Sequence, residues 1–324
     1  MAARRRGKKK SGRSYAWRYR GRIVACVFVE VIIICALVIM IGWNKGVKEW
    51  FEQFEQPVLK EVDISGINSP NAILMQARGG KILGEINGEA QIYPASMTKI
   101  MTVILGIENF DDLDEKITLT NEMFSGLYEQ DATQAGFQPG EEVRVIDLLY
   151  GAMLPSGAEC CIALADTISG SEADFAELMN KKAGKLGMEN THFCDSTGLH
   201  NPNHYSTVKD IAVLMKYCIK NDTFREIVET SRHSTGVTNI HPDGITYYST
   251  MFKNLSDPTV TGGKILGGKT GYTSEAGHCL VSFAEIEGRE YIFVSAGASG
   301  ADGNTIPHIQ DAVTVLSLIH ISEP

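Results

Sequence analysis

A serine and a lysine three positions apart are the first side chains in this chain whose types and spacing suggest joint chemistry. Ser96 and Lys99 lie at the start of a predicted helix over residues 96–109 that is entered through Pro94. At this spacing both side chains share one helix face. A serine hydroxyl needs a base, and a lysine desolvated in a cleft has its pKa lowered enough to serve. The pattern also fits a serine helix cap beside a solvated lysine, so it needs supporting elements.

The second element is Lys269-Thr270-Gly271, which precedes a predicted strand. A lysine and a hydroxyl on an edge strand can bind a substrate carboxylate, and Gly271 lets a substrate backbone approach closely. A glycine-rich hairpin turn is the structural alternative. Residues 263–270 (GKILGGKT) also have the letters of a phosphate loop, but that loop precedes a helix, and here a strand follows. The nucleotide interpretation is therefore disfavoured.

The third element is Ser156, which follows Pro155 in a turn before an apolar helix. One interpretation makes Ser156 a helix cap and Glu159 its capping-box partner. The other makes Ser156 a proton relay between Lys99, a leaving group and Lys269. The residue pattern leaves both interpretations open.

With these three elements in this order, the chain resembles the penicillin-recognising serine enzymes, whose signatures are Ser-x-x-Lys, Ser-x-Asn and Lys-Thr-Gly. Within that group it is similar to the serine-type D-alanyl-D-alanine carboxypeptidases, the low-molecular-mass penicillin-binding proteins. The likeness covers roughly residues 63–315. Beyond the motifs it includes Met179-Asn180, Leu186-Gly187-Met188, Thr191-His192-Phe193, Gly198-Leu199 and His204-Tyr205-Ser206-Thr207.

The resemblance implies a role for each matched residue. Ser96 would be the acylated nucleophile and Lys99 its general base, with Ser156 as the matched serine of the second motif. Substrate-binding residues would be Lys269, Thr270, Gly271 and Tyr272, with backbone N–H groups of Ser96 and Tyr272 forming the oxyanion hole. The substrate would be the D-Ala-D-Ala end of peptidoglycan pentapeptide stems, and β-lactams would acylate Ser96 as inhibitors. No metal or other cofactor is implied.

Ala158 departs from the family pattern, because it stands where the second motif has asparagine. Loss of that amide costs about 1–3 kcal/mol if its partners stay buried and unpaired. One alternative is therefore a catalytically impaired relative with a wall-binding or regulatory role. A second is a β-lactamase, for which neither Glu159 nor residues 177–180 (ELMN) offers an obvious deacylating carboxylate.

A zinc peptidase is the third alternative, because the chain has eight histidines. His200 and His204 are four apart, but Pro202 between them disfavours a shared helix face, and His241 lies in a predicted turn. The seven cysteines show no paired spacing typical of disulfides or of a metal site.

The predicted elements give an α/β chain of the α+β type. Hairpins are expected at both ends of the domain and helices between them, so the expected fold is an antiparallel sheet packed between helices, of the β-lactamase and transpeptidase type. The predicted strands are 72–75, 81–84, 279–286 and 290–295, and the predicted helices are 96–109, 146–154, 160–168, 172–186, 208–220 and 311–318.

The N-terminal region predicts a membrane anchor. Residues 1–22 hold ten basic side chains and no acid, whereas 20 basic and 38 acidic side chains follow Gly42. Residues 23–43 are apolar except for Glu30, and at about 1.5 Å per residue they span the hydrocarbon core. The basic tail is expected to stay in the cytoplasm of a bacterium, which places the rest of the chain outside as a single-pass membrane protein.

The expected organisation is a cytoplasmic tail (1–22), a transmembrane helix (23–43), a stalk (44–62) and a catalytic domain (63–324). That domain is expected to be cut short at its C-terminal end, because residues 316–324 do not follow the family pattern. The acidic body argues against nucleic acid as a partner.

Overall fold

Strands from the two ends of the domain pair side by side in a six-stranded antiparallel sheet. The computed structural model describes residues 61–255, 257–300 and 306–322. The strands are β1 (Asn71–Gln76), β2 (Ile82–Ile86), β3 (Lys116–Thr118), β4 (Glu142–Arg144), β5 (Arg232–Ser234), β6 (Thr246–Tyr248), β7 (Thr259–Val260), β8 (Gly263–Thr273), β9 (Gly277–Ile286) and β10 (Arg289–Ala298). The large sheet has the order β2-β1-β10-β9-β8-β7, and two small hairpin sheets join β3 to β4 and β5 to β6.

The central strands bury both of their faces. Ile73 in β1 and Val281 in β9 belong to one apolar cluster, whereas their neighbours Leu74 and Leu280 belong to another. Successive side chains of a strand point to opposite faces, so the sheet separates the two clusters. This explains why these strands have nearly continuous apolar sequences.

Most of the helices cover one face of the sheet. They are α1 (Lys99–Asn109), α2 (Val145–Met153), α3 (Ala158–Ser169), α4 (Glu172–Leu186), α5 (Val208–Cys218) and α6 (Asp222–Glu229). The short helix α7 (Thr250–Asn254) instead buries Met251 in the cluster that contains Leu74 and Leu280, on the opposite face. Helix α1 is central and contacts α2, α3, α4, α5 and α6. Its first eight residues are all buried, Lys99 included. A lysine is thus carried into the interior by a helix whose other faces are apolar.

Helix α8 (Pro307–Ser322) covers the opposite face and packs on β9 and β10. Its side chains Val315, Leu316 and Ile319 are buried in the second cluster. Leu316 and Ile319 lie in the stretch that departs from the family pattern, and they nevertheless continue the helix.

The predicted architecture is confirmed for the described residues: an α+β fold with an antiparallel sheet packed between helices. Several boundaries differ. At the site, residues 95–98 form a 3-10 turn and the α-helix begins at Lys99. The C-terminal helix begins at Pro307 rather than at residue 311. The predicted tail, transmembrane helix and nearly all of the stalk (residues 1–60) lie outside the described residues. Within the described part of the chain, every helix is too short or too polar to cross a bilayer. The five cysteines described there are free thiols.

Candidate active site

Ser96 and Lys99 meet as their spacing predicts. Lys99 Nζ donates a hydrogen bond to Ser96 Oγ at 3.0 Å and a second one to the carbonyl oxygen of Thr197 at 2.7 Å. Ala95 before the serine has φ +46°, a left-handed conformation that is costly for a residue with a Cβ. The serine therefore stands on a strained turn directly before α1.

Burial lowers the pKa of Lys99, although nearby acidic groups, Asp195 among them, act in the opposite direction. Only 3 % of the residue is exposed. A lysine with a lowered pKa carries a free lone pair in a larger fraction of molecules at neutral pH, and its Nζ already lies within proton-transfer distance of Ser96. Lys99 can thus act as the base for Ser96.

A tight loop supplies the carbonyl that holds Lys99. Asp195 Oδ1 accepts hydrogen bonds from Thr197 N at 2.8 Å and Gly198 N at 2.6 Å. Asp195 Oδ2 lies 3.0 Å from His204 Nδ1, and His204 Nε2 lies 2.9 Å from Thr98 Oγ1. Burial raises the pKa of Asp195, but these hydrogen bonds and the His204 charge outweigh it and lower the pKa to about 2. The network thereby ties the loop to the turn that carries the nucleophile.

A second lysine and serine pair faces the first. Lys269 Nζ on β8 donates to Ser156 Oγ at 3.0 Å and to the carbonyl oxygen of Thr270 at 2.8 Å. Burial, followed by repulsion from Lys99, lowers the pKa of Lys269 well below its usual value. Ser156 has φ +74°, so its backbone is also strained. Two buried lysines that repel each other favour a site in which one of them is neutral.

Ser156 is not a helix cap. Helix α3 has Gly157 as its N-cap, with no side-chain hydrogen bond there, so the capping-box interpretation is wrong. Glu159 Oε1 instead accepts the N–H groups of Ala135 and Gly136 at 2.7 and 2.9 Å. This carboxylate holds the neighbouring loop against the turn that carries Ser156.

Gly271 brings β8 against the nucleophile. A Cβ at Gly271 would lie 2.9 Å from the backbone nitrogen of Ser96, closer than real Cβ atoms come. Among the residues that the structure describes, strand β7 pairs with β8 only at Gly263 and Lys264. The free edge of β8 beside Ser96 is therefore open to an added strand, as the edge-strand prediction required. Because residues 263–273 form a strand, the phosphate-loop interpretation is wrong.

Thr250 is a site residue that the sequence reasoning missed. Its hydroxyl lies 2.7 Å from the hydroxyl of Thr270. Beside this pair a cavity of ≈ 610 Å³ is lined by Thr250, Lys253, Pro155 and the β6 residues Tyr247 and Tyr248, among others. Thr250 lies on a short helix without a recognisable motif, so no sequence signal pointed to it.

Tyr272 is a candidate for a role through its backbone rather than its side chain. Its side chain is 61 % exposed and its ring lies 4.7 Å from that of His278. Its N–H follows Gly271, the residue at which β8 comes close to Ser96 N. Two such backbone donors are what an oxyanion hole needs.

The other candidate residues have structural partners. His204 belongs to the Asp195 network, and His241 Nδ1 lies 2.8 Å from Glu141 Oε1. Within the described residues no three His, Cys, Asp or Glu side chains are grouped so that they could hold a metal ion. Asn180 exchanges two hydrogen bonds, both 2.8 Å long, with the backbone of Phe193. These contacts give the zinc and β-lactamase alternatives no support.

Two lysine and serine pairs meeting at the end of one strand define the class of penicillin-recognising serine enzymes, in which lysine replaces the histidine base of triad hydrolases. The comparison with protein families agrees: the model of the D-alanyl-D-alanine carboxypeptidases matches residues 58–300. The chain therefore belongs to the D-alanyl-D-alanine carboxypeptidase family.

Individual relatives support this assignment. The chain is 35% identical over 231 residues to D-alanyl-D-alanine carboxypeptidase DacF of Bacillus subtilis, covering 71% of this chain and 57% of that one. It is 33% identical over 262 residues to DacC of Escherichia coli, covering 73% and 58%. This chain thus spans somewhat more than half the length of these curated relatives. A mutant of the Streptomyces K15 DD-transpeptidase superposes with a TM-score of 0.71 at 29% identity, covering 79% of this chain and 98% of that one.

Proposed function

We propose that this chain is a serine-type D-alanyl-D-alanine carboxypeptidase that removes the terminal D-alanine from peptidoglycan pentapeptide stems through an acyl-enzyme on Ser96. The observation that carries the proposal is the 3.0 Å hydrogen bond between the buried Lys99 Nζ and Ser96 Oγ. Family membership and the match to relatives named D-alanyl-D-alanine carboxypeptidase support the choice of substrate.

Acylation begins with proton transfer from Ser96 Oγ to neutral Lys99. The oxygen attacks the carbonyl carbon between the two D-alanines, and the N–H groups of Ser96 and Tyr272 stabilise the negative oxygen that develops. The C–N bond then breaks, and the leaving amine takes the proton from Lys99, directly or by relay through Ser156, so that Lys99 is neutral again. The hydrogen bond that the Ser156 hydroxyl accepts from Lys269 Nζ at 3.0 Å supports this relay.

Deacylation uses the same groups in reverse. Water enters the space left by the departed D-alanine and gives a proton to Lys99 as it attacks the ester carbonyl. The ester bond to Ser96 breaks, and its oxygen recovers a proton from Lys99. A base fixed by Thr197 O at 2.7 Å keeps its position through both halves of the cycle.

The terminal carboxylate lies beside Thr270 in this mechanism. The Thr270 hydroxyl donates to it, and Thr250, 2.7 Å from that hydroxyl, orients the donor. Burial is the main cause that lowers the pKa of Lys269, and a neutral Lys99 removes the repulsion that adds to it. This relief favours a protonated Lys269, which would supply positive potential at this end of the cleft.

Ala158 leaves the impaired-relative alternative as a second candidate. The family's asparagine amide is replaced by a methyl group with only 1 % of the residue exposed. Lys99 Nζ nevertheless keeps two hydrogen-bond partners, Ser96 and Thr197. Because the base is held without the amide, we favour an active enzyme.

The anchored location is part of the proposal. Residues 23–43 would cross the membrane of a bacterium once, with the basic residues 1–22 inside and the catalytic domain outside, where peptidoglycan is located. Protease added to intact spheroplasts should digest the domain and spare an epitope placed before Arg4. Digestion of the epitope, or protection of the domain, would contradict this topology.

The decisive experiment combines labelling with product release. A fluorescent penicillin should label the protein covalently, and mass spectrometry should place the adduct on Ser96. D-alanine should be released from a synthetic pentapeptide that ends in D-Ala-D-Ala. Ser96→Ala should abolish both signals, whereas Ser125→Ala, at an exposed serine, should change neither. Labelling without D-alanine release would instead support the wall-binding or regulatory alternative, and an adduct on another residue would refute the mechanism.

A further inference from the structure

The face of β8 that carries the Lys269 side chain contacts two segments of the helical region, first the turn with Ser156 and then the turn with Ser96. Lys269 reaches Ser156, and the missing Cβ of Gly271 leaves room for Ser96. Side chains of a strand face one side at every second position, so this row continues through Thr273. The cleft thus has a direction along β8, from Ser156 past Ser96.

The next contact in this direction is between Glu275 and His200. Glu275 lies in the turn between β8 and β9, and one of its carboxylate oxygens is 3.9 Å from His200 Nδ1. The ring of His200 packs edge-on against Tyr93, with 4.8 Å between the ring centroids. Tyr93 in turn precedes the strained turn that carries Ser96. The pair therefore stands at the rim of the cleft, beyond the nucleophile.

The proposed function sets the direction in which a peptide lies in this cleft. The terminal carboxylate is beside Thr270, so the residues that precede the scissile bond extend toward Thr273 and the turn, antiparallel to β8. A strand advances about 3.3 Å per residue. The residue before the acyl D-alanine therefore lies close to Thr273, and a long side chain on it reaches Glu275.

Glu275 is suited to receive a cation there. Its side chain is 41 % exposed, and the 3.9 Å separation from His200 is longer than a hydrogen bond. A hydrogen bond from Ser274 contributes most to lowering the pKa of Glu275, so the group is a carboxylate at neutral pH. A charged acceptor held at one place but open to solvent can bind an incoming ammonium group.

We propose that Glu275 is a specificity-determining residue, which selects peptide substrates carrying a side-chain ammonium group on the residue before the acyl D-alanine. This inference rests on the proposed function. It predicts a preference for stems with a free amine at that position over stems in which the amine is blocked.

The test uses two pentapeptides that end in D-Ala-D-Ala and differ only at the third residue, which is lysine in one and Nε-acetyl-lysine in the other. Acetylation removes the charge and keeps the length of the side chain. With the wild-type protein, kcat/KM should be about 2- to 5-fold higher for the lysine peptide, the range of a partly exposed ion pair. The ratio should fall toward one as salt is raised.

Glu275→Gln should bring the ratio to about one at low salt by lowering kcat/KM for the lysine peptide. Glu285→Gln, at an exposed acidic residue on β9, should leave the ratio at its wild-type value. Equal rates for both peptides with the wild-type protein, or an unchanged ratio in Glu275→Gln, would overturn the inference.

A second readout separates this inference from the proposed function. Each peptide is used to protect Ser96 from a fluorescent penicillin, which measures binding even where no D-alanine is released. If neither peptide releases D-alanine, the proposed carboxypeptidase activity is contradicted, but the proposed role of Glu275 is not. Stronger protection by the lysine peptide, lost in Glu275→Gln, would still support the subsite, and equal protection would refute it.

Discussion

Gly271 lies so close to Ser96 that a Cβ on it would be 2.9 Å from the serine backbone nitrogen. That nitrogen is one of the two donors assigned to the oxyanion hole. The neighbouring atoms are backbone and the Cβ of Ala95, which cannot turn away as a long side chain can. The distance between β8 and the nucleophile is thus set by the absence of a side chain.

Gly271→Ala should therefore lower the rate of penicillin acylation by about 100-fold, the cost of misplacing reacting groups by about 1 Å. Stopped-flow measurement with a fluorescent penicillin gives this rate. The control is Gly184→Ala in α4, where an added Cβ meets nothing within 4 Å and the helix gains up to about 1 kcal/mol. A normal acylation rate in Gly271→Ala would mean that β8 can shift and that the close approach is not required.

Thr250→Val tests the hydroxyl pair beside the carboxylate position. Valine keeps the shape but cannot bond to the Thr270 hydroxyl, which is 2.7 Å away in the wild-type protein. One lost hydrogen bond of about 1 kcal/mol should raise KM for the pentapeptide about 5-fold while kcat stays within 2-fold. Thr246→Val, which lines the same cavity on β6, is the matched control and should leave KM unchanged. A fall in kcat with constant KM would place Thr250 in the chemical step instead.

The nucleophile and its base were predictable because their contact is local. Residues three apart on a helix start must meet, so the 3.0 Å bond between Ser96 and Lys99 follows from spacing. Lys269 and Ser156 are 113 positions apart, and only the family resemblance brought them together before the structure did. Asp195 drew no attention because an aspartate in a loop is ordinary, and its role depends on where the fold places His204.

The fold was predictable where elements are long. The buried strands β9 and β10 and the helix α4 show clear apolar patterns, and the structure contains them close to the expected bounds. The strand pairs β3 with β4 and β5 with β6 are three residues long each, too short for a periodic pattern. Their positions are set by tertiary contacts rather than by local sequence.

His308 should make folding stability depend on pH. Burial and the neighbouring His278 lower the pKa of His308 from 6.5 to about 4, and its Nδ1 has no hydrogen-bond partner among the described residues. In the unfolded chain this histidine is protonated as the pH falls below about 6.5. In the folded protein it stays neutral until the pH approaches about 4. Its stabilising contribution is thus complete above pH 6.5 and is lost as pH falls toward 4.

Comparison of His308→Gln with the wild-type protein isolates this contribution. Between pH 7 and pH 4.5 the free energy of unfolding of the wild-type protein should fall by about 1–3 kcal/mol more than that of the variant. Urea titrations at both pH values measure it. His192→Gln, at an exposed histidine, should behave like the wild-type protein. Equal decreases in all three proteins would show that His308 is accessible to protons in the folded state.

Ala158→Asn asks what the departure from the family motif does to activity. The helix that begins at Ala158 packs on the helix that begins at Lys99, so we expect the amide to offer Lys99 Nζ a third partner besides Ser96 and Thr197. A hydrogen bond to a charged or partly charged amine contributes about 1.5 kcal/mol, so D-alanine release should rise about 10-fold. Ala158→Leu has the same side-chain branching as Ala158→Asn, with a larger volume and without the amide, and should give no increase.

Activity that stays at the wild-type level in a folded Ala158→Asn protein would mean that Thr197 already holds the base as well as the amide would. If the wild-type protein releases no D-alanine and Ala158→Asn does, the substitution at this position alone accounts for the lost turnover. In that case the native protein binds wall peptides without cleaving them, and penicillin labelling of Ser96 should be slow in the wild type and faster in the variant. Measuring both rates on the same two proteins therefore distinguishes an enzyme that does not need the amide from a relative disabled by its absence.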